Sequence, residues 1–116
     1  MISETDLERR LERWADWARA PQIGSTGSVV GYLKEKVDKA HDLDMDDEIA
    51  ITERAVARTK LEDKAYWRVV ARYYLGRLSC VEIALQFYTS ENGVKSLLRQ
   101  AKTRISLHIE TLERIH

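Results

Sequence analysis

The stretch from Leu78 to Ile105, LSCVEIALQFYTSENGVKSLLRQAKTRI, constrains the fold more than any other part of the chain. Ser79 and Glu82 have the spacing of a capping box, in which serine hydroxyl and glutamate carboxylate each take a backbone N–H at a helix start. A short helix over about residues 80–87 follows from it. Ser90 caps a second helix, which the apolar pattern carries to about Ile115. Only the turn Tyr88, Thr89, Ser90 lies between them. In a helix-turn-helix the first helix must bury a small residue where the second crosses it, with apolar residues at fixed offsets to lock the crossing near a right angle. Ala84 fills the small position, Ile83 and Phe87 point inward from the first helix, and Val94 and Leu97 from the second. On spacing alone the element is either a DNA-reading helix-turn-helix or two helices packed in a bundle. Many such turns carry glycine where this chain has Tyr88, because that position often takes positive φ. Tyr88 must find another conformation or accept strain. Gly93 costs its helix about 1 kcal/mol relative to alanine. It either permits a close approach or is tolerated without purpose.

The remainder also reads as helical. In SETDLERRLERWADWARA, Ser3 is the expected N-cap with Asp6 placed to complete a box, and Leu7, Leu11, Trp14 and Ala18 share one face widened by Trp17. Pro21 ends that helix and the glycine- and serine-rich PQIGSTGS is a loop. VVGYLKEKVDKA aligns Val30, Leu33, Val37 and Ala40 as a second helix, and HDLDMDDE is an acidic connector. A third helix has Ile49 and Val56 as its core positions. A fourth crowds Tyr66, Val70, Tyr73 and Tyr74 onto one side, with Gly76 placed as the left-handed residue that ends it. On the terminal helix Leu98, Ala101, Ile105, His108, Leu112 and Ile115 form an apolar stripe that packs on the N-terminal helices or on a second copy. The expected fold is all-α with about six helices: an acidic N-terminal part over 1–63 and a helix-turn-helix part with a long terminal helix over 64–116, together one compact domain.

Charge and composition narrow the function. The net charge is zero, but residues 1–63 carry 15 acidic and 10 basic side chains, whereas residues 64–116 carry 4 and 9. The basic half can face phosphates, or the two halves can simply attract each other. No apolar run approaches the roughly 20 residues of a membrane span, and the polar start MISETDLERR is not a secretory signal, so a protein of the cytoplasm is expected. The single cysteine, Cys80, allows no internal disulfide and is read as a small packed residue. The acidic run Asp42, Asp44, Asp46, Asp47, Glu48 lacks the glycine and terminal glutamate of a calcium loop, so no metal is expected. Trp14, Trp17 and Trp67 sit at helical spacing and favour core packing over an interface role. His108 reads as a packed or interface residue. With no phosphate-cradling glycine loop and no nucleophile–base pair, neither enzymatic activity nor a cofactor is expected.

The outer face of the second helix of the motif carries the candidate site. Glu91, Asn92, Lys95, Ser96, Arg99 and Lys102 alternate with its inward positions, and Lys95, Arg99 and Lys102 form a cationic stripe. Asn92 suits a bidentate contact to adenine and Glu91 an acceptor for cytosine N4. Arg99, Lys102 and Arg104 suit phosphates, which position a protein without reading sequence. Ser90, at the helix start, completes the set.

YYLGRLSCVEIALQFYTSENGVKSLLRQAKTRI resembles region 4 of bacterial σ factors over about residues 66–105. The shared frame is an aromatic helix, a glycine, a serine-capped helix with EIA, a second serine cap and VKSLLRQAKTRI. LERWADWAR and DDEIAITERAVARTK extend the likeness over nearly the whole chain to the small, zinc-free type of the Q family of late-gene antitermination proteins of lambdoid phages. That resemblance implies a protein of the bacterial host cytoplasm that binds double-stranded DNA near a phage late promoter and loads onto paused RNA polymerase, with or without its σ factor. It then travels with polymerase and narrows the RNA exit channel so that terminator hairpins do not form. Nascent RNA and a second copy on DNA are further partners left open. Asn92, Lys95, Ser96 and Arg99 are the positions it carries over as facing DNA. Glu91 departs from the family frame, since many σ-like helices are basic there. A promoter-bound activator and a helix-turn-helix small terminase subunit are the competing functions.

Overall fold

The computed structural model describes residues 2–20 and 47–115. These are helical almost throughout, with no strand among them. In chain order they form α1 (Glu4–Arg19), α2 (Asp47–Glu62), α3 (Lys64–Val70) running into a π-helical stretch over Ala71–Leu75, α4 (Cys80–Phe87) and α5 (Glu91–Ile115). The all-α expectation holds. The loop, the helix and most of the acidic connector expected over 21–46 lie outside the described residues.

Ser3 caps α1, its Oγ accepting from Asp6 N–H at 3.1 Å. The Asp6 carboxylate is taken instead by Arg9 at 2.6 Å and Arg10 at 3.0 Å. The buried face of α1 is Leu7, Leu11, Trp14 and Ala15. Ala18, expected there, is exposed; Ala15, beside Trp14, takes the place. In α2, Ile49, Thr52, Val56 and Thr59 recur at helical spacing on the inner face. The two buried threonines satisfy their hydroxyls within the helix, Thr52 donating to the Glu48 carbonyl at 2.8 Å and Thr59 to the Ala55 carbonyl at 2.9 Å.

Asp63 caps α3 through Ala65 N–H at 2.8 Å. The chain then widens by one residue per turn. Gly76 N–H reaches back five residues to the Ala71 carbonyl at 2.9 Å. The sequence reading places a left-handed residue at Gly76, but its φ of −84° is right-handed. Arg77 takes the left-handed conformation, with φ 55°. Gly76 answers a different constraint: a Cβ there would lie 2.9 Å from the Arg72 carbonyl oxygen, which the wide turn brings against it.

Both halves of the capping box on α4 form, Ser79 Oγ accepting from Glu82 N–H at 3.1 Å and Glu82 Oε1 from Ser79 N–H at 3.2 Å. Ser90 Oγ accepts from Gly93 N–H at 3.0 Å and caps α5. Along α5, Val94, Leu98, Ala101, Ile105, Ile109 and Leu112 are buried and run through the middle of the molecule. Leu97 and Phe87 are half-buried against the same core. Ile109 occupies the stripe position read as His108; the His108 ring turns aside and meets Glu62 Oε1 at 2.8 Å. A single core draws on α1, α2, α3, α4 and α5, with Trp14 against Trp67 edge-to-face at 6.4 Å between centroids. The core reading of these two tryptophans holds; Trp17 is half-buried beside Ile49 and Ala50.

Candidate nucleic-acid interface

The site is a ridge held up by the meeting of α4 and α5. Ile83, Ala84, Val94 and Leu98 are all buried there. The turn between them is tight: Thr89 N–H returns to the Ala84 carbonyl at 3.0 Å. Tyr88 accepts the left-handed conformation, φ 55° and ψ 44°, at a cost of about 1–2 kcal/mol for a non-glycine residue. Its side chain is 96% exposed, so packing does not offset that cost. Gly93 sits under a close approach, since a Cβ there would lie 2.8 Å from Thr89 Oγ1 and 3.3 Å from the capping Ser90 Oγ. Beneath the ridge, the guanidinium groups of Arg68 and Arg72 lie 5.0 and 4.9 Å from the centre of the Phe87 ring. Arg72 Nε also donates to Gln86 Oε1 at 2.7 Å, tying α4 to the π-helical stretch.

Glu91, Asn92, Lys95, Ser96 and Arg99 share one exposed face at the start of α5. Lys95 and Glu91 pair along the helix at 3.4 Å with both side chains about half exposed, a contact worth only a few tenths of a kcal/mol, roughly 0.3–0.5. Arg99 makes no side-chain ion pair or hydrogen bond with any described residue. Ser96 Oγ accepts from Gln100 at 3.3 Å. The hydroxyl of Ser90 is committed to its helix cap.

Lys102 and Arg104 are placed differently. Lys102 Nζ lies 2.9 Å from Glu8 Oε2 on α1, and that oxygen also accepts from the buried Tyr74 hydroxyl at 2.8 Å. Burial, and then the Glu8 carboxylate, raise the Tyr74 phenol well above its ordinary value, so it stays protonated and donates. Arg104 grips Glu62 of α2 through two contacts, 3.3 and 2.6 Å. The three-residue cationic stripe of the sequence therefore presents two members, Lys95 and Arg99, at the ridge.

The sequence reading did not foresee a half-open cavity of about 650 Å³ beside the ridge, lined among others by Tyr73, Cys80, Lys95 and Arg99. Tyr73 reaches it from the π-helical stretch. The extra residue in that turn shifts the register on which periodicity depends, so the pattern carried no signal of it. Among the described residues no group of three or more histidine, cysteine, aspartate or glutamate side chains is placed to hold a metal. No described helix is long and apolar enough to cross a membrane.

One family profile, phage antitermination protein Q, matches residues 4–114. No curated protein and no solved structure matches the chain. The family match covers α1, through the packed helices, to the end of α5, the same span over which the helices share one core. The chain belongs to the phage antitermination protein Q family, and its role is in phage antitermination.

Proposed function

We propose that the ridge on α5 binds duplex DNA near a late promoter, that the protein loads from there onto RNA polymerase paused just downstream, and that it suppresses distant terminators by narrowing the RNA exit channel. The observation that carries the reading is the contrast along α5. Asn92, Lys95 and Arg99 stand exposed with at most one weak contact, while Lys102 and Arg104 are tied to Glu8 and Glu62. Asn92 offers the donor and acceptor that adenine presents in the major groove, and Glu91 an acceptor for cytosine N4. Lys95 and Arg99 neutralise phosphates at its edge.

A small cationic count suits a loader, which must grip and then let go. Two neutralised phosphates give a salt slope near about −1.8, so the grip is readily lost. The first half of the chain, with 15 acidic and 10 basic side chains over residues 1–63, is repelled by DNA and suits basic polymerase surfaces. Val81, Leu85 and Tyr88 recur along one side of α4 as exposed apolar side chains, which supports a protein contact beside the DNA contact.

Terminator read-through with purified polymerase tests this, on templates that carry the phage late-promoter region upstream of a distant terminator. The protein is expected to let transcripts pass the terminator only when that region is present. Raised initiation with unchanged termination identifies a promoter-bound activator and sinks the reading. Large rings in solution with no effect on transcription identify a terminase subunit and sink it too.

A further inference from the structure

The cavity beside the ridge has a composition that duplex binding does not call for. Its volume, about 650 Å³, lies within the ~300–1,000 Å³ usual for small-molecule sites. One wall is apolar, with Leu7 and Leu98 beside Tyr73. The Tyr73 ring is braced edge-to-face against buried Tyr74, with centroids 4.9 Å apart. Lys95 and Arg99 also line the cavity, both exposed, the latter without an ion-pair partner among the described residues. Lys102, held by Glu8, and the carboxylates of Glu4 and Glu110 complete the charged lining, and Glu110 also accepts from Ile2 N–H at 3.0 Å.

Each simpler ligand fits only part of this. A bare anion leaves the leucines and the braced ring without a contact. A purely apolar molecule takes water from three cations and two carboxylates and returns nothing to them. A duplex holds its bases stacked and offers one sideways only at the cost of unstacking and unpairing it. A ligand with a phosphate, a flat π face and exocyclic amino groups matches the cations, the ring and the carboxylates, and single-strand sites combine the same cationic track and aromatic platform.

We propose that this cavity takes one unpaired nucleotide of a single strand, its phosphate on Arg99 and Lys95 and its base against Tyr73. Arg99 belongs both to the lining of the cavity and to the exposed ridge. The protein thus has adjoining surfaces for duplex and for single strand, and suits a boundary between the two. The shared chemistry is the nucleotide; DNA and RNA are the two sources.

Cys80 lines the cavity and is the only cysteine in the chain, so it reports occupancy directly. The full chain is alkylated with iodoacetamide alone, with five-nucleotide strands of DNA or of RNA, and with late-promoter duplex. Fluorescence anisotropy measures affinity for the same probes. Saturating single strand is expected to slow Cys80 alkylation at least about fivefold. Ser106→Phe, which fills the cavity from a residue lining it, is expected to lower single-strand affinity about tenfold while duplex affinity stays within twofold. Tyr73→Leu is expected to lower single-strand affinity by a similar factor, as removal of a stacking ring does. Protection by the DNA strand, the RNA strand or both supports the site and names its source. Protection by neither overturns the proposal, as does wild-type single-strand binding by a folded Ser106→Phe protein. Should wild-type protein protect Cys80 with single strands yet fail to bind duplex, the duplex reading falls and this one stands.

Discussion

Charged residues on α1 and on the first turns of α5 do different things. On α1 they join helices. Arg9 lies 2.6 Å from Asp6 and 2.8 Å from Glu48 of α2, Arg13 lies 2.6 Å from the same Glu48, and Arg10 reaches Glu113 of α5 at 3.3 Å. The hydrogen bond from Arg9 is the chief reason that the Asp6 and Glu48 carboxyls sit below their ordinary range. On α5, Lys95 finds only Glu91, one turn away on its own helix, while Asn92 and Arg99 have no side-chain partner among the described residues. The same residue types hold the bundle where another helix faces them and stay available where none does. Whether a charged side chain joins helices or stays available depends on which surface is covered, and a helical pattern alone does not say which.

The largest expected effect falls on the supporting half. Trp14 is buried against Trp67 and donates its Nε1–H to Glu53. Trp14→Ala is expected to lower stability by about 3–5 kcal/mol in urea denaturation, with duplex affinity of the folded fraction unchanged. Loss of affinity by fully folded Trp14→Ala protein would break the division. Ala84→Leu comes next, expected to cost about 1–3 kcal/mol by overpacking the contact of α4 with α5. Unlike Trp14→Ala, it should reduce both melting temperature and duplex binding, because the ridge rests on that contact. Retention of wild-type melting would argue against a close crossing.

Smaller effects sharpen the comparison within α5 itself. Arg99→Ala is expected to lower duplex affinity about tenfold and to reduce the salt slope by about one, with melting unchanged. Arg104→Ala, whose guanidinium is held by Glu62, is expected to leave slope and affinity as they were. Equal effects from the two would mean that the Glu62 pair opens on DNA. The smallest effect concerns Glu62. Arg104 first, and then His108, hold its carboxyl at about 2, below the ordinary 4.5. A depressed carboxyl contributes stability above its ordinary value and loses it as pH falls toward the folded value. Acid melting between pH 5 and pH 2 should therefore be slightly steeper for wild type than for Glu62→Gln. The difference should stay below about 1 kcal/mol, because the cluster is solvent-screened.

The sequence foretold the features governed by neighbouring residues. Ser3, Ser79 with Glu82, and Ser90 marked helix starts because a cap is a contact over three residues. Ala84, Val94 and the stripe on α5 followed from helical period. Features that depend on a facing helix were not legible. Nothing local says that Lys102 meets Glu8 or that Arg104 meets Glu62, from residues 94 and 42 positions away along the chain. Ala15 displaced Ala18, three residues away, and Ile109 displaced His108, one residue away, because packing decides which edge of each face is covered. The π-helical stretch escaped because it breaks the period being read, and it moved the left-handed residue from Gly76 to Arg77.

The central claim is that the exposed face of α5 reads duplex DNA. Its most direct test is a gel-shift titration of the Lys95→Ala, Arg99→Ala double variant on late-promoter duplex, beside a melting curve. The account predicts at least about a tenfold loss of affinity with wild-type melting. Wild-type affinity in the double variant would contradict it.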